Sequence, residues 1–138
     1  SCAAIRKRVA YLPQDLALPY DTVDDTVRQL LKIGGLKYTQ QTMVALRSNM
    51  ERLGLDEELL DKRMTEMSGG QRQRLMLAAL ALLDRELWLL DEPTSALDKV
   101  ARDYVLDFLA EQQREGKTIV AVSHDAAVAA QGTAIIKL

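Results

Sequence analysis

Leu87-Trp88-Leu89-Leu90-Asp91-Glu92 is the stretch that decides the fold. An unbroken apolar run ends on two adjacent carboxylates. A short apolar run bounded by charge is the pattern of a buried strand in a parallel sheet. The residues beyond it support that reading. Asp98 to Glu115 has helical periodicity and is closed by Gly116. Thr118 to Val122 is a β-branched strand. His124 to Ala130 reads as a short Ala-rich helix, and Thr133 to Leu138 as a last strand. Residues 87–138 therefore read β-α-β-α-β, and strands joined by crossover helices form a parallel sheet.

Working back toward the start, Val9 to Leu12 reads as a strand ending at Pro13. Thr22 to Ile33 is helical, with Val23, Val27, Leu30 and Leu31 on one face, and Gly34-Gly35 stops it. Thr39 to Leu53 is a second helix, closed by Gly54, and Asp56 to Lys62 a short third one. Ser68 opens the strongest helix, running to about Asp84. Ser68 followed three residues on by Gln71 fits a capping box. The expected organisation is a core strand in residues 1–14, a helical subdomain in 15–66, and the strongest helix with the remaining α/β core in 67–138.

Composition narrows the function. The chain has 138 residues, 48% hydrophobic and 28% charged, as in a globular domain. Lys plus Arg total 18 and Asp plus Glu 20, so no global basic field exists to hold nucleic acid. Aromatic residues are 4%, with none of the aromatic-basic interleaving of single-strand binders. One cysteine, Cys2, excludes an internal disulfide framework and a thiolate zinc cluster. The longest apolar run, Leu75 to Leu83, is far short of the ~20 residues needed to span a bilayer.

Two windows carry chemistry. The Leu87 to Glu92 strand delivers Asp91 and Glu92 to its C-terminal tip, the edge at which parallel α/β sheets bind ligands. One carboxylate there can hold Mg²⁺ and the next can polarise an attacking water, the two tasks of phosphoryl transfer. By itself the hexapeptide reads equally as a strand turning out to solvent. Met67-Ser68-Gly69-Gly70-Gln71-Arg72 is the second window. Two glycines at a helix start allow close approach of a ligand, and the free N–H groups and dipole favour phosphate. By itself this reads as an ordinary N-cap with a glycine-rich entry.

Together the windows are far more specific. Met67 to Arg74, then Leu89-Leu90-Asp91-Glu92-Pro93-Thr94-Ser95-Ala96-Leu97-Asp98, then Ser123-His124-Asp125, resemble the nucleotide-binding subunit of ABC transporters. Tyr11-Leu12-Pro13-Gln14-Asp15 looks like that family's Q-loop. The resemblance implies an α/β fold: an incomplete P-loop NTPase parallel sheet with an inserted α-helical subdomain.

The resemblance also implies roles. Gln14 contacts Mg²⁺ and the attacking water. Ser68, Gly69, Gly70 and Gln71 form the signature motif, which contacts the γ-phosphate of ATP held by the opposite subunit. Asp91 is the Walker B aspartate and a Mg²⁺ ligand, and Glu92 the general base. Ser95 to Asp98 form the D-loop at the dimer interface, with Asp98 counted among the nucleotide-site residues. His124 is the switch histidine. The implied cofactors are ATP and Mg²⁺. The implied partners are a second ABC ATPase subunit and transmembrane permease subunits, with no nucleic acid. The implied place is the cytoplasmic face of the membrane, held there by the permease.

The Walker A motif is missing from these 138 residues. Gly116-Lys117-Thr118 is a decoy, because a P-loop needs a further glycine where Glu111 stands. The expected reading is the C-terminal part of an ABC ATPase subunit that hydrolyses no ATP on its own, since nothing cradles the phosphates. In the family's sheet the Walker A strand lies between the His124 strand and the last one. Repaired pairing is therefore expected, by a shifted last strand or by exchange with a second chain. Two alternatives stand beside the transporter reading: a non-transport ABC ATPase of translation-factor type, and a non-catalytic interaction module. The short stretch between Gln14 and Ser68 disfavours the chromosome-maintenance type, which inserts long coiled coils there.

Overall fold

A computed structural model describes residues 8–14, 21–123 and, for the backbone alone, 134–136. The chain divides into two compact units. One comprises Ser1–Asp15 and Arg85–Leu138, and the other Leu16–Asp84.

The first unit is built on a parallel sheet of four strands: β1 (Val9–Leu12), β2 (Leu87–Asp91), β3 (Thr118–Val122) and β4 (Ala134–Ile136), in that spatial order. Ala10 stands opposite Trp88 and Trp88 opposite Ile119. Leu12, Leu90 and Ala121 form the next row. Side chains two apart share a face, so these six residues make one surface, and all are buried. The helix of this unit, α4 (Lys99–Arg114), offers Val105, Phe108 and Leu109 as buried residues, and Phe108 meets Trp88 at 6.5 Å between ring centroids. Leu87, Leu89 and Val120 on the opposite face are only half-buried, and Tyr11 is 60% exposed. The apolar run of β2 is thus buried on one face rather than two.

Strand β4 pairs directly with β3, Val120 opposite Ala134 and Val122 opposite Ile136. Among the described residues β3 therefore has a paired neighbour on both sides. The Ala-rich helix read over His124 to Ala130 lies outside the described residues.

The second unit is helical: α1 (Val23–Ile33), α2 (Gln40–Arg52), two 3₁₀ turns (Glu57–Asp61 and Met64–Glu66) and α3 (Gly69–Ala81). Each α-helix starts on a side-chain cap. Thr22 accepts from the N–H of Asp25, Thr39 from Thr42, and Ser68 from Gln71. Val23, Val27, Leu31, Leu46, Met50 and Leu75 meet in the core. The stretch read as a short third helix is only a 3₁₀ turn, the form short helical pieces take. Helix α3 stops at Ala81, short of the expected Asp84. Asp84 itself takes φ of 50°, a left-handed conformation that ends helices and that Asp tolerates.

The link between α1 and α2 is pinned by one cluster. The Tyr38 hydroxyl donates to Asp24 Oδ1 at 2.6 Å, Arg28 Nε donates to Asp24 Oδ2 at 2.8 Å, and the guanidinium lies 3.9 Å over the Tyr38 ring. Burial and the bond to Asp24 push the Tyr38 phenol up to about 12. Burial also raises the Asp24 carboxyl, but the Tyr38 hydroxyl and Arg28 outweigh it and hold it below the ordinary value. Tyr38 therefore contributes stability that is fully present below the ordinary phenol pKa, about 10, and lost as pH rises through about 12. The contribution of Asp24 is present above the ordinary carboxylate pKa and lost as pH falls through its lowered one. An absorbance titration at a phenolate wavelength should find one of the four tyrosines ionising near 12, and Tyr38→Phe should remove that step. Four ordinary titrations in the wild-type protein would show that the bond is not held in solution.

Candidate functional site

The carboxyl ends of β1, β2 and β3 are level. Leu12 pairs with Leu90, and Asp91 pairs with Val122. Gln14 lies two residues past β1 and is exposed. Asp91 is the last residue of β2 and is half-buried. Glu92 follows, half-buried, with its N–H donating to Val122 O at 2.7 Å. Ser123, 2% exposed, continues from β3. The sheet thus brings Gln14, Asp91, Glu92 and Ser123 to one edge. His124 comes next in the chain and lies outside the described residues.

Glu92 has φ of 49°. A non-glycine residue in that region is uncommon and costs roughly 1–2 kcal/mol. The turn that follows is tied back to it. Both Ser95 Oγ and Ser95 N donate to the Glu92 carbonyl, at 3.1 and 3.3 Å. Leu97 N donates to Thr94 O at 3.2 Å. Asp98 then caps α4, its Oδ1 accepting from Ala101 N at 2.8 Å. That bond uses the Asp98 carboxylate structurally, whatever else it serves.

In the helical unit, the start of α3 is a complete capping box. Ser68 Oγ accepts from Gln71 N at 3.1 Å, and Gln71 Oε1 accepts from Ser68 N at 3.0 Å. The Ser68 hydroxyl proton and the Gln71 amide NH₂ stay available as donors. Gly69 is exposed and Gly70 buried. As first-turn residues their N–H groups have no acceptor within the helix. Arg74 fixes this end from behind. Its Nη1 donates to Leu53 O at 2.9 Å, and its Nε to Gly70 O at 3.4 Å. A cation is favourable at the C-terminus of α2, where Leu53 is the cap.

The pattern of the ABC transporter family matches residues 1–95. The chain belongs to the ABC transporter family. It is 36% identical over 129 residues to a probable metal transport system ATP-binding protein of Chlamydia trachomatis, covering 88% of this chain and 49% of that protein. It is 37% identical over 133 residues to an achromobactin transport ATP-binding protein of Dickeya dadantii, covering 91% of this chain and 48% of that one. Its fold matches a dimeric ATP-binding cassette in a post-hydrolysis state bound to ADP and Pi, with a TM-score of 0.81 and 26% identity. That match covers 99% of this chain and 61% of the other. The chain therefore has the ABC-cassette form of the P-loop NTPase fold, and it spans about half the length of the relatives named.

Two features of this ABC strand end escape a reading of residue types: the left-handed backbone of Glu92 and its tie to Ser95. Pro93 gives part of the signal, because a residue before proline is driven out of the right-handed helical region. Nothing in the sequence says where it goes instead. The buried hydroxyls of Thr94 and Ser123, 5% and 2% exposed, were also not marked by spacing.

Proposed function

We propose that these residues belong to an ATPase subunit that couples MgATP binding and hydrolysis at a subunit dimer interface to transport across a membrane. The observation that carries this reading is the end of β2, where Asp91 and Glu92 leave the carboxyl edge of a parallel sheet beside Gln14. The transport names of the relatives and the dimeric cassette among the structural neighbours support it.

The donor set suits Mg²⁺. That ion keeps several waters and takes only one or two carboxylates besides substrate phosphates. Asp91 with the amide oxygen of Gln14 is such a set, and among the described residues no cluster of three or more potential ligands competes for the ion. When bound, Mg²⁺ neutralises charge on the phosphate oxygens. Glu92 accepts a proton from the attacking water, the general-base task. Ser68, Gly69, Gly70 and Gln71 present hydroxyl, backbone and amide donors to a phosphate of ATP on the opposite subunit. By its resemblance to the switch histidine, His124 supplies a donor to the γ-phosphate, and Ser95 to Asp98 face the dimer partner. The permease subunits hold the protein at the cytoplasmic face. Among the described residues no helix is long and apolar enough to cross a membrane.

The test is phosphate release by the full-length protein. Hydrolysis is expected in Mg²⁺, lost on chelation with EDTA and restored by added Mg²⁺. The 138-residue chain alone is expected to release none above background. Hydrolysis indifferent to EDTA would overturn the metal assignment. Turnover by the isolated chain that depends on Glu92 would overturn the need for a P-loop.

A further inference from the structure

We infer that Ser95 is a positioning residue for Glu92: its hydroxyl holds the left-handed backbone turn that aims the Glu92 carboxylate. The inference rests on the reading of Glu92 as general base.

The argument begins with φ of 49° at Glu92. A strained conformation persists only where its surroundings over-determine it. Two contacts do so here. On one side the Glu92 N–H donates to Val122 O at 2.7 Å, a strong bond that ties the end of β2 to β3. On the other side the Glu92 carbonyl accepts from Ser95 N at 3.3 Å and Ser95 Oγ at 3.1 Å. Neither of the latter is short, so the carbonyl is held by the pair of donors and not by either alone.

Val122 and the Ser95 N–H contribute through the main chain, which any sequence would supply. The hydroxyl is a part of this arrangement that a side chain provides. Without it, the pre-proline preference pulls Glu92 toward extended backbone. Changing φ from positive to negative swings Cβ about the N–Cα bond and carries the carboxylate away from its place. A displacement on the order of 1 Å in a reacting group costs about 100-fold in rate. Ser95 is itself exposed, so its replacement leaves no cavity. The effect is local to the turn.

The experiment uses the full-length protein and four variants: Ser95→Ala, Ser95→Thr, Glu92→Gln and the double variant Ser95→Ala/Glu92→Gln. Ser95→Ala is expected to lower kcat about tenfold or more, measured at protein concentrations that saturate self-association because Ser95 to Asp98 face the dimer partner. Ser95→Thr, which keeps the hydroxyl, is expected to restore most of the rate. In the Glu92→Gln background, Ser95→Ala is expected to cause no further loss. If Ser95→Ala turns over at the wild-type rate while Glu92→Gln is inactive, the inference fails and the reading of Glu92 stands. If Glu92→Gln keeps wild-type turnover, the reading fails and takes the inference with it. A Ser95→Ala protein whose kcat returns to the wild-type value once protein concentration saturates self-association acts through the subunit interface alone and overturns the positioning role. Should Ser95→Ala fail to fold, a Ser95→Thr protein with impaired kcat would overturn the inference by itself.

Discussion

Glu92→Gly is expected to melt above Glu92→Ala, the reverse of the usual order, while both proteins lose hydrolysis. The two substitutions remove the same carboxylate, so they remove the same proposed general base. A general base contributes roughly 10²- to 10⁴-fold, and both should fall by that factor with ATP binding retained. They differ in backbone. At ordinary positions in regular structure glycine is worse than alanine by roughly 0.5–1 kcal/mol, because it has more freedom to lose. At Glu92 the native φ is 49°, where alanine carries the left-handed penalty of roughly 1–2 kcal/mol and glycine does not. The balance favours glycine by about 1 kcal/mol, a melting difference of about 2–4 °C in a protein of roughly 150–250 residues. Side-chain contacts of Glu92 drop out of the comparison, since neither variant keeps them. The reading is direct. Gly above Ala, with both inactive, means the protein carries strain at the residue proposed as general base. Ala above Gly would place Glu92 in ordinary backbone and leave the Ser95 tie without a purpose.

Much of the fold is legible in local chemistry. Ser68 and Gln71 announce the start of α3 because the reciprocal cap needs that residue pair at that spacing. Thr22, Thr39 and Asp98 mark the other helix starts as one-sided N-caps, each accepting from a first-turn N–H. The β-branched run Thr118 to Val122 and the apolar run Leu87 to Leu90 mark strands, and both form. The proposed site residues Asp91 and Glu92 are legible because strand ends in a parallel sheet fall on one edge, whereas Gln14 enters only through the family resemblance. What could not be read depends on contacts between distant residues. The left-handed Glu92 is held in part by Val122 on another strand, so the local Pro93 and Ser95 do not encode it by themselves. Asn49 Nδ2 donates to Ala78 O at 3.1 Å and Arg74 reaches Leu53 O, which packs α3 among the helices of Leu16–Asp84. Neither bond leaves a trace in the periodicity of α3. The exposed face of β1 at Tyr11 is likewise a property of what covers the sheet, not of the strand itself.

Trp88→Ala is expected to destabilise the sheet unit by about 3–5 kcal/mol, the usual cost of truncating a large buried aromatic. Trp88 is fully buried at the centre of the sheet, between Ala10 on β1 and Ile119 on β3. Its indole is satisfied, with Nε1 donating to Arg85 O at 3.1 Å, and its ring leans on Phe108 of α4 at 36°. Alanine there loses the ring's contacts and leaves a cavity that β2 cannot collapse, because the backbone is fixed by strands on both sides. It also strips the Arg85 carbonyl of a buried donor. Whole domains are stable by only about 5–15 kcal/mol, so the loss is a large share of the total. Trp88→Phe keeps most of the volume and should cost far less, isolating the hydrogen bond from the packing. Urea unfolding followed by circular dichroism measures all three proteins. The 138-residue chain adds a second probe, because Trp88 is its single tryptophan and its fluorescence reports on this unit alone. Asp91 lies three positions after Trp88 on the same strand. If Trp88→Ala unfolds early yet hydrolyses normally in the folded fraction, the strand end is set by its own bonds to Val122 and Ser95. If turnover falls in the folded fraction as well, the core under β2 is part of what aims the two carboxylates. A destabilisation below about 1 kcal/mol would contradict the enclosure of Trp88 itself.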